Sequence, residues 1–437
     1  MLLEFRAKNY KSFKDELVFS MIPAPKQKGL DYSILSEKIR KKEYKGLSSA
    51  VVYGANASGK TNIIGAMDTF KRIVLRGNIH NAENSSPNMA AYKLELIPNN
   101  SDECEEPVSF FIKFIEEGHI FEYSFSIYIG KFLDLSCKRK VIKECLKIND
   151  VISFDREDSV LKVTPSQDYM DKFGENTKDI IDNIVKKNLN DEELFLTNGF
   201  KNIFDSKVAN IIINWLNAEF NVIYRADNMQ FIPPKTAKIE EVSLINDIIN
   251  EGAKLFGINS NGLVYVSDDN GKTSLGSSFM NNKGKEAIIP AEIYESYGTI
   301  RFANMFPLVT LVLVTGGVLV VDEFDASIHP MVLMNIINIF HNDELNKKHA
   351  QLIFNTHNPI FLNSNLFRRD EIKFVERDDD THCSTLYSLS DFGTAGRGGV
   401  RKNEDYMKNY FVDRYGAIRD IDFTPIMERL WEERKEV

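Results

Sequence analysis

Cysteine is scarce in this chain, with four in 437 residues, at Cys104, Cys137, Cys145 and Cys383. None forms a C-x-x-C pair or stands with histidine at zinc spacing. That excludes a disulfide scaffold and a structural zinc site, and it fits reduced thiols in a cytoplasmic protein. Positive charge is also short: 54 Lys and Arg against 63 Asp and Glu leave a formal charge of −9. A surface coated for nucleic acid is excluded by that balance; a single basic patch is not. Long apolar runs are missing too. The most apolar stretch, 308–321, is interrupted by Thr310, Thr315 and Gly316-Gly317 and is too short to span a bilayer. The opening MLLEFRAKNYKSF is charged early and carries no apolar signal core. Internal repeats, low-complexity segments and sustained heptads are absent, which excludes a solenoid and an extended coiled coil. The expectation is a soluble, cytoplasmic chain with no membrane contact, large enough for two or three structural units.

What is present alternates strand and helix signals. Residues 2–7 and 17–21 read as short strands around the polar turn 11–15. The lysine-rich stretch 38–45, with Lys38, Arg40, Lys41, Lys42 and Lys45, reads as a solvated loop. Residues 49–53 read as a buried strand, and 62–75 carry apolar positions at helical spacing. From 107 to 163, aromatic and β-branched segments separated by Glu116-Glu117-Gly118 and Asn149-Asp150 predict an antiparallel meander. Its aromatic run 110–128 reads as β core rather than a base-stacking platform. From Tyr169 to about Phe256 the pattern is largely helical, broken at Pro233-Pro234, with the region 204–220 as core or dimer contact. Further on, 301–314 predicts a helix ended by Gly316-Gly317, 318–321 a buried strand, 330–340 a helix opened by Pro330, and 351–355 another buried strand. Alternation of this kind implies a mainly parallel sheet.

Residues 54–61, GANASGKT, fill GxxxxGK[ST] between a predicted strand and a predicted helix. Backbone N–H groups of Gly54, Ala55, Asn56, Ala57, Ser58 and Gly59 can face phosphate oxygens at a helix N-terminus. Lys60 then reaches the β- and γ-phosphates of ATP, and the Thr61 hydroxyl ligates Mg²⁺. Far downstream, GGVLVVDEFD ends an apolar strand on Asp322 and Glu323. Asp322 at that strand end suits Mg²⁺, and Glu323 beside it suits the general base that polarises an attacking water. Three further segments accompany these: ESYGTIR (295–301), DASIHP (325–330) and NTHNP (355–359).

The order phosphate loop, SYGT, DE, DAS, His resembles the ABC/SMC-type ATPases. That resemblance implies that Ser296 and Gly298, with Thr299 beside them, contact the nucleotide of a second copy. It makes Asp325 and Ser327 the D-loop, and His357 the switch histidine near the γ-phosphate. The signature departs from LSGGQ, and no glutamine for a coupling loop lies between Ser85 and Glu106. A finer resemblance is to compact AAA-family ATPases of bacterial defence, the RloA and AbiLi type, also similar to AriA of PARIS. It is carried by LLEFRAKNYKSFKDELVFSM, IFEYSFSI, VIKECL, SYGTIR, DEFDASIHP and the tail DEIKFVERDDDTHCSTLYSLSDFGTAGRGGVRKNEDYMKNYFVDRYGAI. It covers both ends strongly and 169–284 poorly.

The resulting expectation is an α/β, ABC/SMC-like P-loop ATPase head with a β-meander subdomain and a helical insertion. Residues 1–165 supply the loop and meander, 166–284 the mainly helical insertion, and 285–437 the signature, acidic strand, switch histidine and tail. By the resemblance it hydrolyses ATP with Mg²⁺ as a homodimer or larger even-numbered assembly. It serves as a sensor controlling a separate anti-phage effector, since no nuclease-like centre is legible in the chain. A RecF-like DNA-binding ATPase and a nucleotide-gated scaffold are the alternatives. The glycine-rich stretch 393–401 reads as a partner-docking or site-covering loop.

Overall fold

Two kinds of hydrophobic spacing build two large sheets in the computed structural model. It describes residues 1–25, 27, 29–80, 94–101, 105–132, 134, 137–164, 190–224, 231, 239–259, 261–267, 273–280, 284–394, 399–402, 404–419 and 422–435. Strands β1 (Leu2–Lys8) and β2 (Leu17–Ser20) pair around a tight turn, β3 (Ile34–Ile39) and β4 (Lys42–Leu47) form a hairpin, and β5 (Ser49–Tyr53) runs into the glycine loop. The meander follows as β6 (Val108–Glu116), β7 (His119–Tyr128), β8 (Lys140–Ile148), β9 (Val151–Glu157) and β10 (Val160–Val163). It joins the first two strands in one antiparallel sheet ordered β10-β9-β8-β7-β6-β1-β2.

Strand β11 (Phe220–Ile223) precedes a small antiparallel sheet of β12 (Gly262–Ser267), β13 (Thr273–Met280) and β14 (Glu286–Pro290). The last four strands are β15 (Val318–Val321), β16 (Gln351–Asn355), β17 (Ile372–Arg377) and β18 (Ser384–Ser388). The central sheet is ordered β11-β15-β16-β5-β17-β18, parallel except for the antiparallel edge strand β18. An α/β head with a phosphate loop, a flanking meander and inserted helices is therefore the fold.

Both faces of the central sheet are covered, which is why its strands read as unbroken apolar runs. Ala50 and Val52 of β5 and Val318 and Val320 of β15 face the core shared with the loop helix Lys60–Arg76 and the meander. Val51, Tyr53, Leu319 and Val321 face the opposite core, closed by the helices Tyr297–Thr315 and Pro330–His341. Phe70 anchors the loop helix, its ring stacked on Phe125 at 5.3 Å and edge-on to Phe5 at 5.8 Å. Burying one such ring contributes about 2 kcal/mol. The aromatic residues Phe110, Phe114, Phe121, Tyr123 and Phe125 are buried, as a β core requires. Gln351 joins the parts: its amide donates to Leu2 O at 3.0 Å and Leu47 O at 2.8 Å, and its carbonyl accepts from Leu2 N at 2.5 Å.

Two elements differ from expectation. The lysine-rich stretch is the hairpin β3–β4 rather than a loop, because Leu35 and Ile39 pack on Leu3, Ile115 and Ile120 while the cations stay outside. The insertion does contain helices, Ser206–Asn214 and Ile239–Leu255, but the same stretch also returns to the central sheet as β11. Cys104, Tyr169 and the Pro233-Pro234 break lie outside the described residues.

Helix Tyr297–Thr315 is, among the described residues, the one helix long and apolar enough to cross a membrane. Here its Phe302, Met305, Val309 and Val312 pack on the central sheet. Pro307 inside it has no N–H for the Ala303 carbonyl four residues back. The Tyr265 hydroxyl donates to that carbonyl instead, at 3.3 Å.

Candidate nucleotide-binding site

The glycine loop closes the gap between β5 and its helix by bending where only small or strained residues fit. Gly59 sits at φ +113° and Ala57 at +60°. A Cβ on Gly54 would lie 2.4 Å from Val375 O, and one on Gly59 would lie 2.6 Å from Ser384 Oγ. Asn56 and Ala57 form the exposed crown, while Ser58, Gly59 and Lys60 are buried. Lys60 Nζ donates to Gly54 O at 2.7 Å and Ala55 O at 2.9 Å, spanning the loop. Burial pushes its ammonium down to about 8, against the opposing pull of Glu323 and Asp322.

Parallel pairing brings the distant acidic strand to this loop. The Thr61 hydroxyl donates to Asp322 Oδ1 at 3.1 Å, and Asn355 Nδ2 donates to the same oxygen at 2.5 Å. Asn355 Oδ1 in turn accepts from the Glu323 N–H at 2.5 Å, and Arg301 Nη2 donates to Glu323 O at 2.6 Å. Glu323 is thereby held at φ +50°, a left-handed conformation that costs a non-glycine residue about 1 kcal/mol or more. His357 stands at the exposed end of β16, where partial burial and then the Lys60 charge hold its imidazole below the ordinary value.

One hydroxyl and one carboxylate side by side are the sparse donor set that suits Mg²⁺ when phosphate oxygens and water supply the rest. Among the described residues no group of three or more His, Cys, Asp or Glu is gathered for another metal. The expected members Lys60, Thr61, Asp322, Glu323 and His357 thus come together. Ser296, Gly298 and Thr299 do not join them. Ser296 caps its helix, accepting from Thr299 N at 3.1 Å, and a Cβ on Gly298 would meet Ser327 O at 2.4 Å. They line a separate open groove of about 960 Å³ with Ser327 and His329, and no phosphate-loop residue lines it.

Several partners of the site are not legible in the sequence. Asn355 and Arg301 lie inside the quoted motifs NTHNP and ESYGTIR, yet nothing in those strings shows that they bracket Glu323. Ser12 and Ser384 come from separate turns: Asn62 Nδ2 donates to Ser12 Oγ at 2.8 Å, and Ser384 Oγ donates to Ser58 O at 2.6 Å. The strand abutting Asp322 is β11, outside the 85–106 stretch in which a coupling loop is expected, with Asp322 N donating to Ile223 O at 3.0 Å. The residues after it, 225–230, lie outside the described residues. A second constellation, Ser49, His341 and Glu371, joins Ser49 Oγ to His341 Nε2 at 2.7 Å. It is wholly buried and serves as a core network.

Fold and site together define a phosphate-loop nucleotide-binding head of the α/β class. The chain belongs to the family described as "AAA domain, putative AbiEii toxin, Type IV TA system", whose model matches residues 49–363. Among solved structures it is similar to an SMC head bound to the C-winged helix domain of ScpA. The two share 14% identity over 89% of this chain and 97% of that one, with a TM-score of 0.42. The SMC head domain from Thermotoga maritima shares 14% identity over 89% of this chain and 98% of that one, with a TM-score of 0.35. No curated protein matches the chain.

Proposed function

We propose that the chain binds ATP with Mg²⁺ and hydrolyses it between two copies of itself. The observation that carries this is the hydrogen-bonded run Thr61–Asp322–Asn355–Glu323 at the mouth of the loop. Thr61 and Asp322 would hold Mg²⁺, Lys60 the β- and γ-phosphates, and Glu323 would polarise the attacking water while His357 faces the γ-phosphate. Ser296, Gly298 and Thr299, grooved apart from their own loop, would close on the nucleotide of the second copy. Changing Glu323→Gln should leave ATP binding intact, abolish turnover and favour the associated state by size-exclusion chromatography. Normal hydrolysis by that variant would show that the base is misassigned.

The biological reading that fits best is a regulator in anti-phage defence that controls a separate effector. Its support is the family description, which names a toxin of a toxin–antitoxin system, together with the resemblance along both chain ends. Co-purification with the product of a neighbouring reading frame tests it; a chain that purifies alone and carries toxicity by itself would refute it. A DNA-binding ATPase is the second reading. It is favoured by the exposed cations Lys38, Arg40, Lys41, Lys42 and Lys45 on the β3–β4 hairpin, and it requires a duplex-DNA affinity that falls steeply with salt.

A further inference from the structure

Apart from Lys60 on the loop itself, the groups assigned to the γ-phosphate end of the nucleotide lie on one side of β5. Asp322 and Glu323 follow β15, Asn355 ends β16 and His357 follows it, and both strands precede β5 in the sheet order. On the other side of β5 stand β17 and β18. A triphosphate laid along the carboxyl edge of the sheet, with its γ end at β15 and β16, sends its nucleoside end toward β17 and β18.

That hairpin touches the phosphate loop at three successive points. Val375 O fills the space a Cβ on Gly54 would need. Arg377 Nη1 donates to Ala57 O at the loop crown at 3.4 Å, and Ser384 Oγ donates to Ser58 O. Arg377 is aimed there by its own turn, since its Nε donates to His382 O at 2.8 Å. The side chain is half-buried. Although Asp378, Asp379 and Asp380 follow it directly, no ion pair forms between Arg377 and any described residue. Asp378 is turned onto Thr381 N and Oγ1, both at 2.7 Å, and Asp379 pairs with Arg419. A fixed guanidinium without a carboxylate, at the rim of a phosphate loop, is an anion site in waiting.

We infer that Arg377 is a nucleotide-positioning residue that binds the α-phosphate at the nucleoside end of the nucleotide held by the same chain. This rests on the phosphate-loop reading above. It also sets the polarity of the ligand: γ-phosphate over β15 and β16, nucleoside over the β17–β18 hairpin. ADP carries the α-phosphate as ATP does, so Arg377 serves both equally.

The test is calorimetric binding of ATP and of ADP, each with Mg²⁺, to the full chain and its variants. Arg377→Ala should weaken ATP and ADP alike, by about tenfold, the worth of one charge-assisted contact. Arg377→Lys should recover part of both affinities. Because Arg377 also holds the carbonyls of Ala57 and His382, Arg377→Gln, which retains a donor for Ala57 but no charge, is measured with its nucleotide-free melting midpoint. Weak binding of both nucleotides with an unchanged midpoint is the charge-specific result expected. Full affinity in the Gln variant would overturn the assignment, and so would a loss confined to ATP, which would put the guanidinium at the γ-phosphate. A Lys60→Ala chain that binds nothing while Arg377→Ala binds normally would sink this inference alone. A wild-type chain that binds neither nucleotide would sink the phosphate-loop reading beneath it.

Discussion

Lys60 is an ammonium kept where charge is disfavoured, only 6% exposed and satisfied by two loop carbonyls. Burial lowers it to about 8. For folding without nucleotide the sign follows directly. A base depressed from 10.5 costs stability while it stays protonated, and that cost is relieved as pH rises through about 8 toward 10.5. For binding the sign reverses, because polyphosphate favours the ammonium and lifts its pKa in the complex. Below pH 8 the lysine is charged with or without ligand, and affinity for ATP should be flat with respect to this group. Above pH 8, binding must draw in a proton, and affinity should fall by up to about tenfold per pH unit. Calorimetry in buffers of different ionisation enthalpy checks this: proton uptake should appear at alkaline pH and vanish at neutral pH. Uptake that is the same at both would place the lysine's titration elsewhere.

At the scale of elements, the segment that follows the meander is fastened to it by one buried carboxylate. Glu144 on β8 accepts from Phe195 N at 2.6 Å, Leu196 N at 2.8 Å and the Tyr123 hydroxyl at 2.8 Å. Arg156 on β9 stands 3.8 Å from it and donates to Glu193 O at 2.7 Å and Asn190 O at 3.1 Å. Both side chains of the pair are fully buried. Glu144→Ala removes acceptors from three buried donors and strands a guanidinium, so it should destabilise the chain by about 3 kcal/mol or more, read from urea unfolding. A loss below 1 kcal/mol would mean that water replaces the carboxylate. None of this pairing is legible in sequence, where Glu144 is one charge in a strand. The same limit explains β11, whose four residues FNVI sit inside a helical pattern and become a strand only by lying beside Val318–Val321. Signals contained in one contiguous string, such as GANASGKT or VLVVDE, give the observed strand and turn because the two are adjacent there. Arg377 and Ser384 reach the loop as a pair across the β17–β18 hairpin, beside β5 in the sheet, and Ser12 reaches it from the β1–β2 turn, a meeting that only the tertiary fold makes.

At the scale of the whole molecule, one chain carries the phosphate loop and the SYGT segment but keeps them apart. The phosphate loop and acidic strand meet at Thr61 and Asp322, whereas Ser296 and Gly298 lie against Ser327 in a groove that no loop residue enters. If the groove completes the site of a second copy, two different defects must complement each other. Lys60→Ala removes the phosphate contact. Ser296→Asp keeps the helix cap, since Asp caps as well as Ser, but turns a negative charge toward the γ-phosphate. Each variant alone should bind as a pair of dead sites and show no turnover. In an equal mixture half of the dimers are mixed, and each mixed dimer holds one site with an intact loop from one copy and an intact signature from the other. About a quarter of wild-type turnover should therefore return on mixing under a two-fold exchange of surfaces. If the signature served the nucleotide of its own chain, every site in the mixture would keep a defect, and mixing would restore nothing.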